Sequence, residues 1–217
     1  MAGTRMAIIE RASGSEKYRM FSVVVHSTRI TVTVTFNASV VRKWIRSALY
    51  FYRYQLNRLV VGLGVQWVPD FIRGEDNPAA TLQLCIGRRC LVFQLLHSNG
   101  VPLLLRRFLL NPRYVFVGIW NHRDAYKLSR SRHALEVHRL VDLRHYAVTT
   151  RGEGLATKSM EEIAKEYLGF EGVGLEKSVS LSQWDEVRLS REQVWQACYD
   201  VFVCFQVGRK TKIWKKV

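Results

Sequence analysis

The sequence predicts a single α/β domain, a mixed β-sheet flanked by α-helices, and three observations carry that prediction. Strand-like segments dominate as far as Leu96, and from Ser98 onward helical and strand patterns alternate, the order that gives a sheet covered by helices. Thr and Val alternate from Thr31 to Thr35, the period of a half-buried strand. No internal repeat or linker divides the 217 residues, of which 48% are hydrophobic and 12% aromatic, a composition suited to one core.

The elements follow in order. Residues 20–36 (MFSVVVHSTRITVTVTF) read as a hairpin turning at His26-Ser27-Thr28. Asn37 or Ser39 caps a helix whose apolar positions Val40, Val41, Trp44, Ile45, Ala48 and Leu49 recur at helical spacing. The apolar run 59–67 (LVVGLGVQW) reads as a strand buried on both faces. Residues 71–78 form a loop broken by Gly74 and Pro78, and two strands pair around Gly87-Arg88. Ser98 is placed to cap a short helix through 103–110, ended by Asn111-Pro112. Residues 114–119 make a short buried strand, and 121–130 a helix with Arg123, Lys127 and Arg130 on its exposed side. Residues 137–147 pass from strand to helix near Asp142. Ser159 with Glu162, and Ser190 with Gln193, have capping-box spacing for two further helices, the first closed by Gly169. Residues 170–188 read mostly as loop.

Lys and Arg number 33 against 18 Asp and Glu, a net charge of +15. Such an excess favours a polyanionic partner, because basic side chains meeting phosphates release condensed counterions; it also serves solubility or docking to an acidic protein. Cys85, Cys90, Cys198 and Cys204 lie in apolar runs without C-x-x-C spacing, which argues against zinc and disulfides and for a reducing compartment, nucleus or cytoplasm. No apolar run reaches the roughly 20 residues of a membrane-spanning helix. Residues 1–17 read as a flexible leader with a faint transit-peptide character, 18–210 as the domain and 211–217 as a basic tail. His133 and His138 lack carboxylate or cysteine company at ligand spacing and read as solvated loop histidines. No phosphate-cradling glycine loop or nucleophile elbow is present.

Four stretches resemble the Werner-syndrome-like 3′–5′ exonucleases of plants, within the wider DEDD nuclease superfamily. They are 61–67 (VGLGVQW), 80–85 (ATLQLC), 116–118 leading to 124–128 (FVG, DAYKL), and 180–185 (SLSQWD) through Gln193-Val194 to Asp200; Val141-Asp142-Leu143 is a further matching string. The similarity spans about residue 20 to 210 and implies an RNase H-like fold. In that family two divalent metals about 4 Å apart hold the scissile phosphate and activate water. Four carboxylates gather those hard Mg²⁺ or Mn²⁺ ions.

The resemblance puts the family's first Asp at Gly64, its Glu at Gln66, its second and third Asp at Asp124 and Asp200, and its water-orienting Tyr at Gln196. Tyr199 lies about 100° round the helix from Asp200 and cannot replace that Tyr. The His of a related subclass falls on Trp195. Gly64 offers no ligand and Gln66 only a neutral carbonyl, so Asp124 and Asp200 are remnants that hold metal weakly at best. No cofactor is expected, and the lost charge stabilisation costs orders of magnitude in rate. The resemblance thus implies a degenerate exonuclease; Glu75 and Asp76 in the neighbouring loop are an alternative source of carboxylates.

A cleft without cations can still bind. Arg123 and Lys127 beside Asp124, Arg188 and Arg191 beside the last helix, and Trp184, with Trp67 and Trp120, offer charges for phosphates and rings for bases. The expected partner is single-stranded DNA or RNA, or a 3′ end; the resemblance adds homo-oligomers or mixed oligomers with active paralogues. A protein-interaction scaffold and a residually active metal-dependent exonuclease are the alternatives.

Overall fold

β-branched and aromatic side chains draw eight segments into one sheet in the computed structural model, which describes residues 7–70, 76–148, 152, 154–170 and 177–217. The strands are β1 (Ala7–Arg11), β2 (Arg19–Val25), β3 (Thr28–Thr35), β4 (Val60–Gln66), β5 (Thr81–Ile86), β6 (Arg89–Gln94), β7 (Val115–Gly118) and β8 (Leu140–Asp142). Their order is β1-β2-β3-β6-β5-β4-β7-β8. Strand β3 runs parallel to β6, and β4, β7 and β8 run parallel to one another; the other pairs are antiparallel. Both predicted hairpins form, β2–β3 through His26 in the left-handed region (φ 55) and β5–β6 through Gly87 (φ 62).

The helices are α1 (Ala38–Phe51), α2 (Leu103–Leu109), α3 (Asp124–Arg130), α4 (Met160–Ile163, continued by a π turn Ala164–Leu168), α5 (Lys177–Ser180) and α6 (Arg191–Lys210). Asn37 caps α1 by accepting the Ser39 N–H, and the capping boxes Ser159–Glu162 and Ser190–Gln193 both form. Gly169 ends the π turn in the left-handed conformation. Period-2 alternation sorts side chains into two cores. On one face Val32, Val92 and Val117 meet Val194, Val201 and Phe202 of α6; on the other Leu63, Leu82 and Phe93 meet Val41 and Ile45 of α1 and Leu105 of α2.

Four expectations need correction. Residues 7–11 of the predicted leader are edge strand β1, held by backbone pairing to β2 and by a Glu10–Arg19 ion pair of 2.7 Å. The basic tail is anchored, because Ile213 is buried and Trp214 packs against the core. Ser98 does not cap α2; its hydroxyl closes a turn onto Gly100, and α2 starts after Pro102. His133 is buried, with Nε2 on the Leu95 carbonyl, because the loop carrying it folds back onto the end of β6. Most of the 71–78 loop lies outside the described residues. All four cysteines are free and buried, with Cys90 and Cys198 sulfurs 3.8 Å apart.

Candidate functional site

The site lies where the C-terminal end of β4 meets the first half of α6. Even-numbered residues of β4 face α6, and two of them are glycines. A Cβ on Gly62 would fall 1.9 Å from the Val201 carbonyl oxygen, so only glycine lets α6 lie this close to the strand. Gly64 pairs across the ladder with Gln83, whose side chain shares its face. A Cβ on Gly64 would stand 3.1 Å from both Gln83 Oε1 and Val201 Cγ1. The volume a carboxylate would need is therefore held by an amide and a methyl group.

Gln66, one residue pair along, donates from Nε2 to Asp200 Oδ2 at 3.4 Å. The other oxygen of Asp200 is buried with no partner among the described residues. Burial, then the charge of Glu161, pushes Asp200 up to about 7. Asp124 opens α3, is buried, and is held well above the usual carboxylate range by burial, then by Asp200 and Asp142. Asp142 is not available as a ligand: it accepts from the backbone and guanidinium of Arg144, at 2.7 Å to Nη2, while Arg144 stacks on Trp120 at 3.4 Å. Gln196 is buried and donates to Ser180 Oγ at 2.7 Å, and its own Oε1 has no partner among the described residues. Tyr199 is buried and stacked on Trp195 at 5.1 Å.

The structure thus brings Gln66, Asp124, Gln196 and Asp200 to one end of the sheet and fills the space above Gly64. The donor set does not fit a pair of divalent cations. Two carboxylates, one amide carbonyl and no bridging carboxylate supply too little negative charge. Among the described residues, no group of three or more His, Cys, Asp and Glu is gathered to hold a metal ion.

The nucleic-acid candidates divide. Lys127 is buried, not exposed: Nζ reaches Asp76 Oδ1 at 2.8 Å, the Asn77 carbonyl at 2.6 Å and Asp70 Oδ2 at 3.3 Å, over the Trp67 ring. Arg123 pairs with Asp70 at 3.1 Å beside the same ring. An Asn77 N–H, with Lys127 and Arg123, holds Asp70 below the usual carboxylate range. These side chains staple the loop after β4 to α3, and their acidic partners explain why they do not offer free charge to phosphates. Asp76 is committed to this staple; Glu75 lies outside the described residues. Trp184 is fully buried with Nε1 on the Ser180 carbonyl, a core residue and no stacking platform. Arg188 and Arg191 remain exposed. Gln83 escaped the sequence reading; the antiparallel register that sets it opposite Gly64 is the signal that finds it.

No protein-family model matches the chain. A curated 3′–5′ exonuclease from Drosophila grimshawi is 25% identical over 156 residues, covering 69% of this chain and 46% of that protein, so the chain spans about half the length of this relative. The solved EXO domain of Aedes aegypti Nibbler is similar with a TM-score of 0.61 at 15% identity, over 84% of this chain and 88% of that one. Escherichia coli RNase D, an exoribonuclease involved in structured RNA processing, gives 0.60 at 17% identity, over 79% of this chain and 43% of that one. The chain is a single α/β domain, a mixed eight-stranded sheet flanked by helices, with the RNase H-like fold of 3′–5′ exonuclease domains.

Proposed function

We propose that this protein is a catalytically silent member of the 3′–5′ exonuclease fold that binds single-stranded nucleic acid without cutting it. The observation that carries the proposal is the neutral contact at its centre, Gln66 to Asp200, beside a Gly64 whose ligand space is filled. Where an active nuclease needs concentrated negative charge to seat Mg²⁺ or Mn²⁺, these residues offer amides. The net charge of +15 supports a nucleic-acid partner, and buried free thiols suit the nucleus or cytoplasm.

The test is a 3′-labelled single strand of DNA or RNA incubated with the protein and Mn²⁺. The expected result is no shortening; shortening that Asp200→Ala abolishes overturns the proposal.

A second reading rests on β1. Among the described residues this edge strand leaves one ladder of backbone groups unpaired, and it exposes Ile9, which suits strand addition by a second copy or a paralogue. Light scattering on the purified protein tests it: a strictly monomeric mass at high concentration removes the self-association arm.

A further inference from the structure

The two ends of β4 differ in the sign of their surroundings. At the C-terminal end Asp124 and Asp200 are buried acids, and Asp142 is paired with Arg144. At the other end, beside Val60, a pocket of ≈ 360 Å³ opens between the end of α1, the β5–β6 turn and the second half of α6. Arg58, Arg88 and Arg209 line it with Tyr52, and no Asp or Glu does. All three arginines are exposed, and among the described residues none pairs with a carboxylate. The reason is written in the chain: no acid occurs from Lys17 to Pro69 or from Asn77 to Arg123, and the acids of α6 lie in its first half.

The pocket continues into an aromatic surface. The Tyr52 hydroxyl seats over Gly87, within reach of the charges of Arg88, Arg89 and Arg209. Arg89 lies over the Phe51 ring at 5.1 Å, its Nε buried without a hydrogen-bond partner among the described residues. Tyr50, Phe51 and Tyr54 are 63%, 61% and 84% exposed, and Arg53 sits 4.5 Å over both tyrosine rings. Exposed rings interleaved with guanidiniums that no described carboxylate holds match the needs of a single strand, whose bases stack and whose phosphates are gripped.

We infer that this pole, roughly 20 Å along β4 from Gln66, is the single-strand binding surface, and that the old cleft is not. This rests on the nucleic-acid binding proposed above and assigns its location. The cations nearest the cleft, Arg123, Lys127 and Arg144, are spent on carboxylates. The opposite pole carries the cations.

The test is fluorescence anisotropy with labelled oligo-U and oligo-dT of about 15 nucleotides, titrated between roughly 50 and 200 mM salt. The wild type is expected to bind. Arg88→Ser with Arg209→Ser weakens binding about tenfold and flattens the log–log salt slope by about 1.4, because each phosphate no longer gripped accounts for about 0.7. Phe51→Ala with Tyr54→Ala weakens it about tenfold with the slope unchanged. Photo-cross-linking of a 4-thiouridine oligonucleotide to the wild type is expected to label the stretch from Tyr50 to Tyr54. A loss produced by Arg188→Ser with Arg191→Ser and not by the pole variants, or cross-links confined to the cleft, overturns the location while nucleic-acid binding stands. Failure of the wild type to bind either strand at low salt overturns both.

Discussion

Gln66 and Asp200 meet across the gap between β4 and α6, amide Nε2 to carboxylate Oδ2 at 3.4 Å. The amide brings no charge, so burial and Glu161 are left to push Asp200 from 3.8 up to about 7.

That shift has a pH signature. An acid whose folded pKa exceeds its unfolded value keeps its proton in the folded state after the unfolded chain has released it. Its effect on stability is absent below about pH 4, grows unfavourable between about pH 4 and 7, and then levels. Asp200→Asn removes the titration. Thermal melts are expected to coincide for variant and wild type near pH 4, and to separate at pH 8 with the variant higher by roughly 8–16 °C. The same gap at both pH values sinks the account of Asp200 as a buried, proton-holding acid.

Rebuilding the metal site needs three changes, not two. Asp at position 64 meets Gln83 Oε1 at its first carbon, and forcing it in costs about 1–3 kcal/mol. Gln83→Ala removes one of the two obstacles and leaves Val201 Cγ1 at 3.1 Å. Calorimetric titration with Mn²⁺ is expected to show negligible binding by the wild type, weak binding by Gly64→Asp with Gln66→Glu, and roughly tenfold tighter binding when Gln83→Ala is added. Equal affinity with and without Gln83→Ala shows that Gln83 does not block the site, and two tight ions on the wild type remove the basis for calling it silent.

Lys127 is a staple and not a phosphate grip. Replacing it with a side chain of similar length and no charge leaves Asp70 and Asp76 without their shared partner and the Asn77 carbonyl without its donor. Lys127→Met is expected to lower the melting temperature by roughly 5–10 °C. Limited proteolysis is expected to speed up between β4 and β5, with oligonucleotide affinity nearly unchanged. A large loss of affinity with stability intact restores Lys127 to the binding surface.

Local rules that depend on neighbours in sequence were legible. Asn37, the two capping boxes, the His26 and Gly87 turns and the period-2 strands all follow from residues within a few positions of one another. The residues misjudged are those whose surroundings come from far along the chain. Lys127 carries the spacing of an exposed position, and only the fold of the loop after β4 brings Asp70 and Asp76 onto it. Trp184 reads equally well as platform or core until α6 and α5 close over it. Residues 7–11 hide because AIIER carries no apolar–polar alternation, and only pairing with β2 reveals the strand. The residue types at positions 64, 66, 196 and 200 stand in the sequence, but the packing of Gln83 and Val201 against Gly64 does not.

The seat of α6 decides how much of that site is recoverable. A Cβ at Gly62 would run into backbone, the Val201 carbonyl at 1.9 Å and the Phe205 nitrogen at 3.2 Å, so the helix itself must move; at Gly64 the obstacles are side-chain ends at 3.1 Å; at Gly100 nothing lies within 4 Å. Urea unfolding is expected to rank the alanine variants accordingly. Gly62→Ala should cost more than about 3 kcal/mol, Gly64→Ala about 1, and Gly100→Ala close to nothing. Should Gly64→Ala prove as costly as Gly62→Ala, α6 is locked over the centre as firmly as over its flank. No exchange at Gln83 could then readmit a carboxylate, and the silence of the site would be a property of helix placement, with the lost ligands following from it.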